Sequence, residues 1–402
     1  MLALAILILL AIACDDDRVP PAEPAAPRFV CARDAVSPFL ASKLDDDDGD
    51  TKPFDERFPF VNDEDDDIAD HCWIEDESGT FHLFFHTEMR VTPSHIDHYT
   101  TRDFQSLSYV GTALDVVPGT WDADGLWAPH IIHHDGTYYM FYTGIQGRGV
   151  SQVQRTGVAT STDLNHWTRL PINRCPDTTG DGCVYECNEP WTTFSEGGEY
   201  DRQCRDPFII RDEPNGRWLM FHTAKSLNTA GVVTVASAPN LTDWLGAGFI
   251  DATRRLAAGT AAQQTGGQCE NAFVVAARGR YYLLFTDWQD EEDDYTVANP
   301  RTMTQYATSP TLAVDAIGSA NWGYRGYLPD PGVNAIEILN PHDPELPRLM
   351  SQSIASEQSG VFHRLRRTLR MKCVTFGDDE SVHTESFGLP PADSTVRAIV
   401  AP

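Results

Sequence analysis

Basic residues are scarce in this chain. Thirty Lys and Arg stand against 59 Asp and Glu over 402 residues, a formal net charge of −29. Binding to nucleic acid or to an anionic lipid surface is excluded, because phosphate contacts are made by Lys and Arg. Long apolar runs are absent too. The longest opens the chain, from Leu2 to Ala13, and twelve helical residues rise about 18 Å, short of a hydrocarbon core of about 30 Å. Paired C-x-x-C knuckles are missing, and stretches of helical periodicity are few. Aromatic residues, by contrast, are plentiful. Nine Trp, thirteen Tyr and nineteen Phe supply a large core and exclude disorder of the whole chain.

The opening apolar run ends in Ala11-Ile12-Ala13-Cys14 and is followed by three aspartates. It reads as a signal-peptide core, and the tetrad resembles a bacterial lipobox, which implies export and a lipid on Cys14. Asp15 to Asp67 holds 17 acidic and six basic residues. Such a charge run repels itself and stays solvated, so residues 15–67 are expected to be a disordered acidic tether. The expected organisation is therefore a leader over 1–14, this tether, and one domain over 68–402. Any membrane contact is expected only through Cys14, and the protein is read as a monomer.

Apart from Cys14 there are eight cysteines: Cys31, Cys72, Cys175, Cys183, Cys187, Cys204, Cys269 and Cys373. An even number in an exported protein predicts up to four disulfides. The intervals between Cys175, Cys183, Cys187 and Cys204 favour disulfides over zinc. Asp177-Thr178-Thr179-Gly180-Asp181-Gly182 echoes a calcium loop but lacks its alternating ligands and distal Glu. It reads as a disulfide-bounded insertion.

A repeated pattern fills the rest. Five strands end alike: His82–Thr87, Tyr139–Gly144, Leu219–Ala224, Tyr282–Asp287 and Arg348–Ser353. Turns at Ser78-Gly79, Asp135-Gly136, Asn215-Gly216 and Arg278-Gly279 precede the first four, and an apolar run precedes each turn. Strand, short turn, strand is a hairpin signature. A third strand follows in most units, as in Ala159–Leu164 and Ala236–Leu241, with Trp167 or Trp244 three residues beyond. Repetition every ~55–80 residues predicts an all-β, five-bladed propeller of four-stranded antiparallel blades. Residues 361–376 are expected to help close the ring by pairing with an N-terminal strand.

Counting back from the aromatic that opens each second strand gives Asp70, Trp127, Asp206 and Glu270 at eleven or twelve residues, with Ile336 and Glu337 in the fifth unit. Strand entries in a propeller surround the channel, so the three acids are expected to converge. Crowded carboxyl groups drive each other's pKa values apart. One acid to protonate a leaving oxygen, one carboxylate as base or nucleophile and a third to tune them suit glycosidic cleavage.

These residues resemble the five-bladed propeller glycoside hydrolases, the clan of families 43 and 32, over roughly residues 68–355. Trp127-Ala128-Pro129-His130 with Asp135-Gly136-Thr137-Tyr138-Tyr139 is similar to the second-blade pattern of family 43. Arg205-Asp206-Pro207 and Phe81-His82-Leu83-Phe84-Phe85 are similar to motifs of family 32. The resemblance implies Asp70 as base or nucleophile, Asp206 as stabiliser or pKa modulator, and Glu270 as general acid. It places Arg205 on a sugar hydroxyl, with Trp127 and His130 on the substrate side. A carbohydrate substrate is implied and no cofactor is required. No metal site is assigned, although the clan admits a structural calcium in the channel. His71-Cys72-Trp73 after Asp70, and Asn271-Ala272 after Glu270, depart from the family pattern. They motivate a second reading, a carbohydrate-binding propeller without catalysis. A protein-interaction propeller is the third.

Overall fold

The computed structural model describes residues 30–31 and 68–388, apart from 88–92, 103, 105–106, 148–151, 195–201, 228–230, 252–268, 289–301, 314–321, 332, 340–347 and 358–364. Cys14 and the expected leader lie outside the described residues.

Five antiparallel sheets form the molecule. Blade one holds β2 (Ile68–Glu75), β3 (Phe81–Thr87), β4 (Ile96–Thr101) and β5 (Ser108–Leu114). Blade two holds β6 (Gly125–His134), β7 (Thr137–Gln146) and β8 (Val153–Ser161), with the short β9 (Thr168–Arg169) and β10 (Cys183–Tyr185) both on β8. Blade three comprises β11 (Arg205–Asp212), β12 (Arg217–Lys225), β13 (Gly231–Ala238) and β14 (Leu245–Asp251). Blade four comprises β15 (Cys269–Ala277), β16 (Arg280–Trp288), β17 (Thr302–Ser309) and β18 (Gly323–Pro331).

Blade five differs. It runs β19 (Val333–Ile338), β20 (Arg348–Glu357), β21 (Leu365–Phe376), β22 (Val382–Gly388) and, on the outer edge, β1 (Val30–Cys31). The N-terminal strand thus pairs with β22, whereas the segment expected to receive it supplies the blade's third strand. The sheet order explains the shift, since β21 already has partners on both sides in β20 and β22. β1 also falls within the stretch read as a tether, so these two residues belong to the propeller.

The inner strands β2, β6, β11, β15 and β19 touch in sequence, and β19 touches β2, which closes the ring. Turn chemistry sets the hairpins. Asp135-Gly136 and Arg278-Gly279 both have positive φ at each residue, the backbone of a two-residue turn that matches strand twist. The core lies between blades. Phe84, Trp121 and Tyr142 fill the gap between blades one and two, and Phe141, Met220 and Trp244 fill the next. Phe221, Leu284 and Phe376 pack in the cluster spanning blades three to five, and Trp73 with Met371 joins blade five to blade one. The recurring tryptophans lock the turn after the third strand: Trp167 Nε1 donates to the Leu164 carbonyl, and Trp244 Nε1 to that of Leu241.

Cys175–Cys183 and Cys187–Cys204 are disulfides, and Cys373 is disulfide-bonded as well. The expectation of up to four bridges is too high, because Cys72 and Cys269 are buried free thiols. Each stands on an innermost strand packed inside the ring. The Asp177–Gly182 stretch is bounded by Cys175–Cys183, where the sequence reading had set the bounds at Cys175 and Cys187, and is tied down by Trp121 Nε1 donating to the Asp181 carbonyl.

Candidate active site

Every inner strand is irregular at one shared register. Trp127 pairs with Thr143 but His130 with Phe141; Arg205 pairs with Thr223 but Phe208 with Phe221. Glu270 and Phe273 repeat this against Thr286 and Leu284, as do Ile68 and His71 against Thr87 and Phe85. Asn334 and Ile336 show a one-residue slip against Ser353 and Gln352. An extra residue in one strand of an antiparallel pair is a β-bulge. Its first residue has positive φ in four blades: Ala128 (44°), Asp206 (57°), Asn271 (54°) and Ala335 (49°). That backbone is costly for any residue with a Cβ.

The bulges persist because their amide groups tie adjacent blades together. Ala128 N–H donates to His86 Nδ1 at 3.2 Å, Asp206 N–H to Thr143 Oγ1 at 2.9 Å, and Ala335 N–H to Thr286 Oγ1 at 3.3 Å. In the remaining case the acceptor is a carboxylate: Asn271 N–H donates to Asp206 Oδ2 at 3.1 Å, and Thr223 Oγ1 donates to the same oxygen at 3.0 Å. Sequence reasoning recorded the threonines that end the aromatic strands without assigning them this work.

The three acids therefore do not share one position, as the count from the aromatics had implied. Glu270 precedes the bulge, Asp206 is its first residue, and Asp70 is its second. Turn length separates Asp70 from Glu270: the hairpin turn has five residues in blade one (76–80) and two in blade four, so the same count of eleven reaches different registers, whereas the count to Asp206 was twelve.

Asp70 and Asp206 nevertheless line one channel pocket with His71, His130, Asn271 and Glu337. Glu270 is absent from that lining and joins it through Arg205, whose Nη2 donates to Glu270 Oε1 at 2.9 Å. The same guanidinium donates to Gln203 Oε1 at 2.9 Å and lies 3.6 Å from Asp206 Oδ2. Arg205 is buried, with its donors spent on the protein. Its guanidinium clamps Glu270 and lies beside Asp206.

The environments differ. Burial pushes the Asp206 carboxyl up to about 6, with Arg205 opposing and Glu270 adding to the rise. Asp70 and Glu270 are more open, with side chains 15% and 19% exposed against 4% for Asp206. Asp70 Oδ2 lies 3.9 Å from His86 Nδ1. Because that nitrogen accepts from Ala128 N–H, the imidazole is neutral and the approach is a contact rather than an ion pair. Trp127 stacks on His86 at 6.1 Å and is half-buried. His130 is buried, packs on Phe208 at 4.5 Å and meets the Ile209 carbonyl at 3.3 Å.

Glu337, which carried no role in the sequence reading, is buried on blade five. Desolvation drives its carboxyl well above the usual range, although the Trp73 backbone N–H opposes this by hydrogen bonding. Among the described residues no group of three or more His, Cys, Asp or Glu side chains converges as metal ligands. Among the same residues no helix is long and apolar enough to cross a membrane.

A sequence profile described as glycosyl hydrolases family 43 matches residues 65–313. The chain belongs to that family. This span covers blades one to three and the first three strands of blade four, and it contains all three candidate acids. A curated relative, the probable sucrose-6-phosphate hydrolase of Psychromonas ingrahamii, is 29% identical over 173 residues. The match takes in 41% of this chain and only 27% of that protein. Among solved structures, sucrose-6-phosphate hydrolase from Lactobacillus gasseri superposes with a TM-score of 0.59 at 14% identity, over 79% of this chain and 61% of that one. A thermostable family-43 glycoside hydrolase gives 0.56 at 14% identity, over 83% and 96%. The endo-arabinase of Bacteroides thetaiotaomicron gives 0.54 at 15% identity, over 78% and 95%. At these identities the structural likeness concerns the fold.

Proposed function

We propose that this family-43 propeller hydrolyses glycosidic bonds in oligo- or polysaccharides, using Glu270, Asp70 and Asp206. The observation that carries the reading is the placement of the carboxyl groups. Two half-open ones stand on blades one and four, and a buried one lies on blade three between them in chain order. Glu270 donates a proton to the leaving oxygen, and the Asp70 carboxylate activates water or attacks the anomeric carbon. Asp206, linked to Glu270 through Arg205, sets the charge balance of the pair. Trp127, braced by His86, offers a flat face to a sugar ring. No metal takes part in this scheme.

The similar proteins include sucrose-6-phosphate hydrolase and an endo-arabinase, which makes furanosides the first substrates to try. The leader and Cys14 support export and lipid anchoring, with the acidic stretch after Cys14 as spacer. A screen of aryl arabinofuranosides, aryl xylosides and fructans tests the reading, with Glu270→Ala and Asp70→Asn alongside. Turnover in the parent and its loss in both variants is the expected result.

One observation favours a second reading. Asp70 stands one residue past the bulge position that Asp206 occupies, and Arg205 pairs with Glu270. A binding propeller would show sugar affinity by calorimetry with no turnover on any substrate. That outcome would replace the first reading.

A further inference from the structure

Two disulfides bound the insertion that follows the third strand of blade two, and they sit in different company. Cys175–Cys183 closes an outer loop whose partners are Asn173, Thr178 and Trp121. Cys187–Cys204 lies between blades two and three, both sulfurs buried, and Cys204 immediately precedes Arg205.

A continuous path runs through this second bond. On blade two, Arg155 Nε donates to Glu186 Oε2 at 3.0 Å and Arg155 Nη1 to Gln146 Oε1 at 3.0 Å. Glu186 adjoins Cys187. Beyond the disulfide, Gln203 and Arg205 flank Cys204, with Arg205 Nη1 on Gln203 Oε1 and Arg205 Nη2 on Glu270 of blade four. Among the side chains of this path the disulfide is the covalent cross-link, and the other side-chain links are hydrogen bonds or ion pairs. Arg205 stands where β11 begins, and the chain directly before it is held to blade two by Cys204 and by Gln154 N–H donating to the Arg202 carbonyl at 3.1 Å.

We propose that the Cys187–Cys204 disulfide is a positioning strut for the site, holding Arg205 against Glu270 and Asp206. Opening it releases the clamp while the propeller stays folded. The catalytic consequence rests on the glycoside hydrolase reading; the electrostatic one does not. Around Asp206 the charged and titratable neighbours in contact are Arg205, Glu270 and the Cys269 thiol, and Asp70, His71, His130 and Glu337 line the same pocket. Arg205 alone among them holds the Asp206 carboxyl down. When the guanidinium withdraws, Asp206 must titrate at higher pH.

The test compares Cys187→Ser/Cys204→Ser with Cys175→Ser/Cys183→Ser in the full chain. Asp206 ionisation is followed by NMR of 13Cγ-labelled aspartate, its signal assigned by loss in Asp206→Asn. The midpoint is expected to rise in the first variant and to match the parent in the second. Turnover is expected to fall at least tenfold in the first variant alone, with KM little changed. In an Arg205→Ala background, opening the strut should add nothing, because both changes remove one interaction.

Should the first variant not fold, dithiothreitol applied to the folded Cys175→Ser/Cys183→Ser protein opens the bond instead. One dithiothreitol closes to its cyclic disulfide as Cys187 and Cys204 each gain a proton and an electron. Alkylation and mass mapping then confirm which bond opened. An Asp206 midpoint unmoved by opening the strut overturns the proposal, and so does an equal shift in both variants. A parent that turns over no saccharide sinks the hydrolase reading, while the Asp206 titration still decides the strut.

Discussion

The backbone N–H of Asn271 donates to the Asp206 carboxylate across 3.1 Å, joining the bulge of blade four to that of blade three. Elsewhere in the ring a threonine hydroxyl or a histidine nitrogen accepts this bond. At this one seam a candidate catalytic group is also a structural tie.

Asp206→Asn should separate the two roles. The amide oxygen still accepts from Asn271 and Thr223, so the fold persists, while hydrolysis drops by about 10²–10⁴-fold with the lost charge. Burial raises the folded Asp206 value from 3.8 to about 6. Its contribution to stability is therefore full below about 4 and is lost as pH climbs to about 6. Thermal unfolding between pH 4 and 7 should show this decline in the parent and not in the variant. Identical pH profiles would contradict the assignment.

Thr143→Val keeps the shape of a fully buried side chain but removes the acceptor for the Asp206 N–H. Leaving that amide unpaired should cost about 1–3 kcal/mol in denaturant unfolding. Activity should fall as well, since the strained Asp206 backbone loses its anchor on blade two. A neutral result in both measurements would mean that the bulge does not need this bond.

Burial drives the Glu337 carboxyl well above its usual range and so favours its neutral form. Glu337→Gln keeps an oxygen for the Trp73 N–H and should melt at or above the parent temperature at pH 7. The parent itself should weaken as pH rises through the elevated carboxyl value, because the raised group favours the fold only while protonated. Glu337→Ala leaves the amide unpaired and should lose about 1–3 kcal/mol. Equal melting of the Gln and Ala variants would refute the argument.

Cys72 and Cys269 are free but sealed, at 0% and 2% exposure, and desolvation raises both thiols above their usual range. Neither should react with a thiol reagent at pH 8 until denaturant is added. Rapid labelling of the native protein, mapped to either residue by mass spectrometry, would show that the inner strands open.

Much of this architecture was legible from local chemistry. Gly79, Gly136 and Gly279 marked hairpins because positive φ is cheap for glycine. Trp167 and Trp244 marked the turn after the third strand because an indole must bury its ring and place its N–H. The repeated aromatic strands required a radial stack, since each blade buries its faces only against its neighbours. Asp70, Asp206 and Glu270 were found as strand-entry acids for the same reason: the pattern recurs wherever the channel does.

Register and charge pairing were decided in three dimensions. Residue counts did not reveal that blade one turns in five residues and blade four in two, so the acids appeared equivalent when they are successive. Arg205 was legible as a cation beside Asp206, whereas its pairing with Glu270 of blade four came only with the fold. Glu337 was passed over because burial belongs to the packed ring and not to the strand. Sequence determines what each strand can pair with and bury; closure of the ring decides which charges meet, because those neighbours lie on different blades.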